Sequence, residues 1–295
     1  MLFRSGRDHA GTAENAGYSK FGETGKISIY QNDYPLPLGF MVDDMIYNWN
    51  NNHKSPFTVQ EDFIMAATGL ELDLFEDVQI SSENYVNMQR TSYDGFRYAY
   101  KNLDAAGVGQ ATLFINAPDT KQMYIYMFGN RSYKTKVTVN EKTTEYETRR
   151  GLIIDLGVLE KGTEVKLDFE VHAADTGYFN LEAVTFDEEA YKEAYALLAD
   201  EPFDITTFEA THIEGTVVAK QAGVLYTSIP YERGWTVKVN GEKVEADDLK
   251  RTMIGIYLPE GKHHIKMTYV PDGFMNGSII SIFTVLALIV VYLVS

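Results

Sequence analysis

Apolar and polar residues alternate along most of the chain, and the alternation gives way to one long apolar run at the C-terminal end. Between residues 79 and 185, alternating segments such as ATLFINA, QMYIYMFG and EVKLDFEVHA are separated by Gly, Asn and Asp, and the same pattern returns between residues 208 and 270. A period of two residues predicts half-buried β-strands, and turn residues at such intervals are typical of β-sandwiches. The sequence therefore predicts a mainly β protein.

Two segments carry helix signals instead. Ser55 and Pro56 form an N-cap and a first-turn proline, the apolar positions that follow favour a short helix, and Gly69 ends it. Residues 187–200 (DEEAYKEAYALLAD) predict a second helix, because acidic residues in the first turn interact favourably with the positive end of the helix dipole. We expect this second helix to separate two folded domains.

The terminal run, residues 274–295, contains no charged side chain. As a helix it reaches roughly 33 Å, which is enough to cross a hydrocarbon layer about 30 Å thick. A single spanning segment has to be helical, because hydrocarbon leaves the backbone groups of other conformations unpaired. A buried core helix is the alternative, and the lack of a polar face on the run disfavours it. The sequence thus predicts a membrane-tethered folded protein.

The two alternating regions also resemble each other. Residues 136–169 and 236–269 both contain a strand ending in Val-Asn, an apolar strand, a turn with Gly162 or Gly261, and a final alternating strand. The alternative is that any two β-sandwiches share this rhythm. We predict two tandem antiparallel β-sandwich domains, jelly-roll or immunoglobulin-like, with short helices and a C-terminal transmembrane helix. The predicted parts are an N-terminal segment with strands that follows a missing membrane core (1–55), a first sandwich with a short leading helix (56–186), a linker helix (187–200), a second sandwich (201–272) and a transmembrane helix (274–295).

Composition narrows the classes of partner. The formal net charge of −16 argues against binding of nucleic acid and against docking on anionic lipid, because the surface would repel both. The chain has no Cys, which excludes disulfides, thiolate metal sites and a cysteine nucleophile, and this fits a bacterial surface protein. The start, MLFRSGRDHAG, lacks the features of a signal peptide, and the chain stops at or inside the membrane helix. We therefore expect a fragment of a longer protein.

Candidate catalytic groups lack the neighbours that their chemistry needs. Asp247 and Asp248 lie in a charged segment typical of a solvated loop, and the adjacent His263 and His264 cannot both project from one face of a strand. His172 has no ligand partner in sequence, and Ser228 lacks a nucleophile-elbow motif. Zinc-ligand spacing, a twelve-residue calcium loop and Gly-rich phosphate loops are also missing. We predict no catalytic residue, no metal site and no cofactor in this segment.

The segment Ile229–Trp235 has two interpretations. It predicts a tight corner in which Pro230 and Gly234 set the backbone and Trp235 is packed inside, mostly buried beside strand 254–258. On that interpretation Trp235→Ala would cost roughly 3 to 5 kcal/mol. Alternatively Tyr231 and Trp235 form a glycan-binding platform, because flat rings offer apolar faces to the C–H groups of sugars.

Two stretches resemble the bacterial YfhO family of multi-spanning membrane proteins. In residues 224–276 the matching motifs follow in order: SIPY, GW, VKVNG, GIYL, GKH, Tyr-Val-Pro and GF, then the apolar helix. The segment IYQNDYPLPLGFMV, residues 29–42, is similar to the part of that family that joins the membrane core to the ectodomain.

The resemblance implies a function and a location. It implies that the chain is the extracytoplasmic C-terminal region of a membrane glycosyltransferase, which transfers sugar from a lipid-phosphate donor to an envelope polymer such as lipoteichoic acid. In that class the catalytic carboxylate lies in an early loop between membrane helices, which this chain lacks, so its part would be accessory and its own enzymatic status stays open. Its partners would be the lipid bilayer, the sugar donor and the envelope glycopolymer, at the bacterial cell membrane. The alternatives are a single-span, membrane-anchored surface module that binds carbohydrate or protein, and a soluble enzyme.

Overall fold

The computed structural model describes residues 17–24, 27–104, 107–130, 134–172 and 176–294. The N-terminal segment MLFRSGRDHAG and the side chain of His172 lie outside the described residues. The helices are a short 3₁₀ helix (Asp44–Asn48), α1 (Pro56–Thr68), α2 (Glu188–Leu198) and α3 (Phe274–Val294). The strands are β1 (Tyr18–Thr24), β2 (Ile27–Asn32), β3 (Gly39–Val42), β4 (Phe75–Asp77), β5 (Ile80–Val86), β6 (Met88–Tyr93), β7 (Arg97–Asn102), β8 (Val108–Asn116), β9 (Lys121–Gly129), β10 (Thr135–Val139), β11 (Lys142–Tyr146), β12 (Leu152–Leu159), β13 (Glu164–His172), β14 (Thr176–Phe186), β15 (Asp204–Glu209), β16 (His212–Ala219), β17 (Gly223–Pro230), β18 (Trp235–Val239), β19 (Glu242–Val244), β20 (Asp247–Leu249), β21 (Met253–Leu258) and β22 (Gly261–Tyr269).

The chain divides into two compact units, each interrupted in sequence. The described residues of the first unit fall within Met1–Pro35, Asn52–Glu61 and Glu71–Glu193. Those of the second unit fall within Leu36–Asn51, Asp62–Leu70 and Ala194–Ser295. Strand β3 therefore belongs to the second unit, although it precedes the strands of the first sandwich in the chain.

The first unit is an antiparallel sandwich. One sheet has the strand order β11-β10-β13-β8-β5, and the other has the order β12-β9-β14-β7-β6, with β4 also paired to β14. Alternating residues of both sheets point inward and form one core, as Leu113 and Leu167 of the first sheet and Ile125 and Met127 of the second do, each fully buried. The period-two pattern of the sequence is the direct cause of this arrangement, since alternate side chains of a strand point to opposite faces.

The second unit is also an antiparallel sandwich. Its sheets have the orders β15-β16-β22-β18-β19 and β20-β21-β17-β3. Val217 and Ile265 of one sheet and Leu225 and Ile256 of the other meet in a shared core. Together with the first unit, this confirms the prediction of a mainly β chain built from antiparallel sheets.

The two units repeat one topology. Strands β8 to β13 follow the same path as β16, β17, β18, β19, β21 and β22, and the repeated hairpins β10–β11 and β18–β19 occupy the same sheet edge. The hairpin turns are Asn140–Glu141 and Asn240–Gly241, and all four residues have positive φ, between 47° and 89°. Positive φ at both central residues is the geometry of a tight hairpin turn of type I′. The shared path is what the sequence repeat predicts.

Helix α1 begins and ends where its sequence signals lie. The Oγ atom of Ser55 accepts hydrogen bonds from the backbone N–H groups of Phe57 and Thr58, each at 3.1 Å. These contacts satisfy donors that a helix start otherwise leaves free. At the other end Gly69 has a φ of +72°, as expected of the glycine that terminates a helix.

Helix α3 is apolar and exposed on every side. None of its residues is buried, its mean hydropathy reaches 2.6, and among the described residues it is the one helix long and apolar enough to span a membrane. The alternative of a buried core helix is therefore wrong. A fully exposed apolar surface of this length has a favourable environment in a lipid bilayer.

Candidate ligand-binding site

The two residues predicted from sequence, Tyr231 and Trp235, lie on the corner between β17 and β18. The N–H of Tyr231 donates to the carbonyl of Thr252 at 3.0 Å, and the N–H of Trp235 donates to the carbonyl of Glu232 at 3.2 Å. Both side chains are partly buried and pack against the core of the second unit. Part of each ring surface is therefore engaged in packing, and the remainder is accessible to a ligand.

Trp235 is mostly buried, as predicted, but its neighbouring strands differ from the prediction. Its strand pairs with β22 and β19, where Trp235 lies opposite Tyr269. Strand β21, the predicted neighbour, is part of the opposite sheet. The predicted neighbour was wrong because strand order depends on pairing between segments distant in sequence, which the local pattern does not specify.

The corner also contacts the segment that enters α3. The N–H of Val270 donates to the carbonyl of Gly234 at 3.0 Å, four residues before α3 begins. A Cβ atom at Gly234 would lie 2.4 Å from the carbonyl oxygen of Val270, so only glycine permits this close approach of the two segments. Tyr231 and Trp235 consequently lie near the chain's approach to the membrane helix, where Trp and Tyr are enriched in membrane proteins.

The other residues weighed from sequence have ordinary structural partners. Asp247 accepts a hydrogen bond from the hydroxyl of Tyr47, and Asp248 is exposed. The adjacent histidines point apart: His263 is buried and hydrogen-bonds with the carbonyl of Pro259 at 2.9 Å, whereas His264 pairs with Glu214 at 2.9 Å. Within the part of the chain that the structure describes, no group of three or more His, Cys, Asp or Glu is placed to hold a metal ion.

A cavity in the first unit opens where two strands separate. One edge of β14 pairs with β7 over Thr176–Asn180 and with β4 over Val184–Phe186. Between them, only single bonds join the strand edge to its neighbours: the N–H of Leu181 donates to the carbonyl of Phe96, and the N–H of Val78 donates to the carbonyl of Ala183. The cavity has a volume of about 240 Å³. Its walls include Lys54, Ser55, Asp77, Tyr93, Phe96 and Glu182.

Glu182 is the charged group with the most unusual environment in this cavity. Its Oε2 atom is buried and has no hydrogen-bond partner among the described residues. The pKa of Glu182 is raised to about 6: burial is the largest cause, a hydrogen bond with Ser55 acts in the opposite direction, and the nearby Asp77 carboxylate adds to the increase. Glu182 is thus a carboxyl group of raised pKa in a cavity wall, a combination that marks a candidate binding site.

Four aromatic residues continue from the cavity across the outer face of the same sheet. We name them the aromatic strip: Phe96, Tyr126, Phe128 and Tyr178, all partly buried. The rings of Phe96 and Tyr126 are nearly parallel, at 10°, with centroids 5.9 Å apart, and those of Phe128 and Tyr178 are 6.0 Å apart. Tyr126 lies opposite Glu182 in the β9–β14 pairing, so the strip and the cavity adjoin.

Polar groups accompany the aromatic strip. The guanidinium of Arg97 lies 4.1 Å from the ring centroid of Tyr178, and its Nε donates to the Oδ1 of Asn180 at 3.2 Å. The hairpin before Arg97 fixes this geometry, because the Oδ1 of Asp94 accepts from the N–H groups of Phe96 and Arg97 at 3.1 and 2.7 Å. Planar hydrogen-bonding groups beside half-exposed rings make a surface with both apolar and directional contacts.

Sequence reasoning missed this surface, although a signal was present. In β9, Tyr124, Tyr126 and Phe128 occupy the outward positions, where the alternating pattern normally places polar residues. The inward positions of the same strand are Met123, Ile125 and Met127, so the strand is apolar on both faces, which indicates that the outer face is covered or binds a partner. Helix α1 covers part of it, since Phe57 contacts Tyr124 with centroids 6.5 Å apart. The strip lies beyond that contact.

Comparison with known proteins identifies the family. The family model described as "Bacterial membrane protein YfhO" matches residues 6–281. The chain belongs to the YfhO family. It is 23% identical over 284 residues to the YfhO protein of Bacillus subtilis (strain 168). The aligned region covers 92% of this chain and 32% of that relative. The chain thus spans about a third of the length of the curated relative that it matches.

Solved structures show only distant likeness to this YfhO chain. A family two carbohydrate esterase from Cellvibrio japonicus covers 36% of the chain and 33% of its own, with 12% identity and a TM-score of 0.22. A β-glucuronidase from Ruminococcus gnavus covers 68% of the chain and 40% of its own, with 10% identity and a TM-score of 0.26. At these TM-scores the likenesses carry no argument.

Membership in YfhO and the exposed helix α3 agree on location. The family is one of bacterial membrane proteins, and α3 meets the length and hydropathy of a membrane span. This YfhO chain is therefore a bacterial membrane protein with a β-rich body, which confirms the resemblance stated from the sequence motifs.

Proposed function

We propose that this chain is the extracytoplasmic, accessory part of a YfhO-family glycosyltransferase. The whole protein would transfer sugar from a lipid-phosphate donor to an envelope polymer such as lipoteichoic acid. The observation that carries the proposal is the continuity of β22 with α3, which tethers the second sandwich to a bilayer through a short link, residues 270–273. Such a tether keeps a folded body within reach of membrane-bound donors and growing surface polymers.

The net charge of the chain supports a location of its β-rich body on the extracytoplasmic side of the membrane. Its 42 acidic residues exceed its 26 basic residues, and the cytoplasmic leaflet carries a negative surface potential. A strongly acidic body close to that leaflet would be repelled. The outer side of the membrane also offers the glycopolymers that the proposed function requires.

The site chemistry supports an accessory role. The cavity with Glu182 has one carboxyl of raised pKa, Asp77 and aromatic rings, which suit recognition by stacking and hydrogen bonding. We assign the transfer chemistry to the part of the protein that corresponds to the remaining two thirds of the Bacillus relative. Tyr231 and Trp235 remain proposed glycan contacts near the membrane.

Labelling with thiol reagents tests on which side of the membrane the β-rich body lies. The chain has no Cys, so Phe208→Cys, at a side chain that is 69% exposed, adds a single reactive thiol. We expect a membrane-impermeant maleimide to label this variant in intact cells from which any outer layers have been removed. The unmodified chain is the matched negative control, and lysed cells give the maximum signal. Labelling only after lysis would place the β-rich body in the cytoplasm and overturn the proposal.

The genomic reading frame tests the accessory role. About a dozen apolar spans ahead of this region support a transferase with a membrane core. In that protein, removal of residues 17–272 with the membrane helices retained should reduce the sugar content of the envelope polymer. A frame with only a signal peptide ahead of this region would favour the single-span surface module that binds carbohydrate or protein.

A further inference from the structure

We propose that the outer face of the six-stranded sheet in the first unit binds a neutral saccharide, with Glu182 as the hydrogen-bond acceptor and the aromatic strip as the stacking surface. The proposal adds a site to the proposed function and rests on it for the kind of partner, a sugar polymer. It assigns the main glycan contacts to Phe96, Tyr126 and Glu182 of the first unit rather than to the Tyr231–Trp235 corner of the second.

The first argument is the missing partner of Glu182. Strand β14 fixes this residue, because its neighbours Leu181 and Ala183 are buried in the core and its Cα pairs with that of Tyr126. This backbone arrangement places the Glu182 side chain on the outer face of the sheet, and its Oε2 atom is buried with no hydrogen-bond partner among the described residues, which is unfavourable for an acceptor. A hydroxyl group from a ligand would supply the missing donor.

The second argument is the room beside this carboxyl group. The cavity of about 240 Å³ exceeds the share of one water molecule, about 30 Å³, several times over. The space is therefore large enough for a ligand group. The cavity adjoins Phe96 and Tyr93, so a ligand that enters it meets ring surfaces as well as the carboxyl group.

The third argument concerns charge and selects a neutral ligand. Glu182 and Asp77 would repel a phosphate group, and the net charge of −16 adds to the repulsion. Lys54 in the cavity wall does not offset this repulsion, because it forms an ion pair with Asp94 at 3.5 Å. Hydroxyl groups of a neutral sugar satisfy the acceptor without this repulsion.

The fourth argument is the geometry of the strip. Parallel rings at Phe96 and Tyr126 offer apolar faces beside the cavity, which suit the C–H faces of a pyranose ring. Arg97 and Asn180 hold each other in place at 3.2 Å and leave further donors for ring hydroxyls. The rings and polar groups extend along β9 and β14 beyond the cavity, so the surface fits a chain of several sugars.

Binding measurements on the whole chain test the site. We would place residues 1–295 in lipid nanodiscs, which avoids sugar-based detergents, and titrate with neutral oligosaccharides: chitohexaose, maltohexaose and cellohexaose. We expect at least one to bind, with an affinity about ten-fold weaker in Phe96→Ala and in Glu182→Gln. Arg97→Ala changes an exposed side chain and should also weaken binding while leaving the fold intact.

Matched controls come from exposed aromatic residues elsewhere. Phe208→Ala and Tyr257→Ala, at side chains that are 69% and 53% exposed, should bind as the unmodified chain does. Far-UV circular dichroism confirms that each variant is folded. If binding is unchanged in Phe96→Ala, Glu182→Gln and Arg97→Ala, the proposal that these residues form the saccharide site is overturned.

The outcomes separate this proposal from the proposed function. If the unmodified chain binds none of the three oligosaccharides, the saccharide site is overturned. The labelling of Phe208→Cys in intact cells does not depend on that result. Labelling only after lysis overturns the extracytoplasmic role, whatever the titrations show. Loss of binding in Trp235→Ala with full binding in Phe96→Ala would move the glycan contacts to the membrane-proximal corner and overturn the assignment made here.

Discussion

The indole ring of Trp235 packs on the phenol ring of Tyr269, with ring centroids 5.0 Å apart and planes inclined at 48°. The two residues lie opposite each other in the pairing of β18 with β22, and the hydroxyl of Tyr269 donates to a carboxylate oxygen of Glu232. Aromatic pairs of this kind contribute about 0.5 to 1.5 kcal/mol beyond the area they bury. The pair therefore stabilises the end of the second sandwich that leads to α3.

Trp235→Ala should destabilise the second unit by about 2 to 3 kcal/mol. This is somewhat less than the roughly 3 to 5 kcal/mol expected of a fully buried aromatic residue, because part of the side chain remains exposed. Urea denaturation in micelles measures the effect, and Trp49, the other tryptophan of the chain, reports on the same unit. Phe208→Ala, in the same unit and largely exposed, should shift stability by less than about 0.5 kcal/mol. An unchanged midpoint in Trp235→Ala would indicate a ring free for ligand contact.

Glu182 should make stability fall as pH rises from about 4.5 to about 6. Its folded pKa of about 6 lies above the unfolded value of 4.5, so the folded state binds more protons within that range. The stabilising contribution is complete below pH 4.5 and is lost as pH passes through 6. The difference in unfolding free energy between the unmodified chain and Glu182→Gln isolates this group, since other titrations cancel. Parallel stability curves over pH 4 to 7 would contradict the raised pKa.

Val285→Arg should weaken membrane insertion of the chain. Val285 lies near the middle of α3, and a charged residue at the centre of a membrane helix costs about 2.5 to 3.5 kcal/mol on insertion scales. We expect a larger fraction of this variant to be released from vesicles by alkaline extraction, as measured by flotation. Val285→Leu keeps the helix apolar and serves as the control. Equal retention of both variants would indicate that α3 does not determine membrane association.

Local patterns in the sequence were sufficient for most elements of this fold. An exception is the segment of Asp247 and Asp248, which was expected to be a solvated loop and instead forms strand β20, paired with β21. The strands follow from period-two alternation, α1 follows from the Ser55 cap and Gly69, and α3 follows from an uninterrupted apolar run. Each signal acts within a few residues, because capping, turn geometry and side-chain alternation are local properties of the backbone.

The cavity could not be predicted in the same way. It exists because β4 and β7, which are separated in the chain by β5 and β6, pair with successive parts of one edge of β14. The environment of Glu182 depends on this arrangement, and so does the position of Phe96. The placement of β3 beside β17 is equally non-local. Sequence alternation fixes the face on which a side chain lies, but it does not identify the neighbouring strand.

The repeated hairpins offer a test of the internal symmetry. The turn of the first unit has Glu141 at a φ of 65°, where the second unit has Gly241 at 89°. A side chain at positive φ is strained relative to glycine, and the unfolded chain gains entropy with glycine, so the two effects partly offset each other. We expect Glu141→Gly to stabilise the β10–β11 hairpin by about 0.5 kcal/mol and Gly241→Glu to destabilise the β18–β19 hairpin by about 1 kcal/mol.

Hydrogen exchange measures the protection of the backbone amides in each of the two hairpins separately in one experiment. Peptides from residues 135–146 should gain protection in Glu141→Gly, and peptides from residues 235–244 should lose it in Gly241→Glu. Each hairpin is the internal control for the other, because the substitutions lie in different units. Loss of protection in both variants would show that the Glu141 side chain contributes more to its hairpin than its strained backbone costs, and the two turns would then not be interchangeable despite their common path.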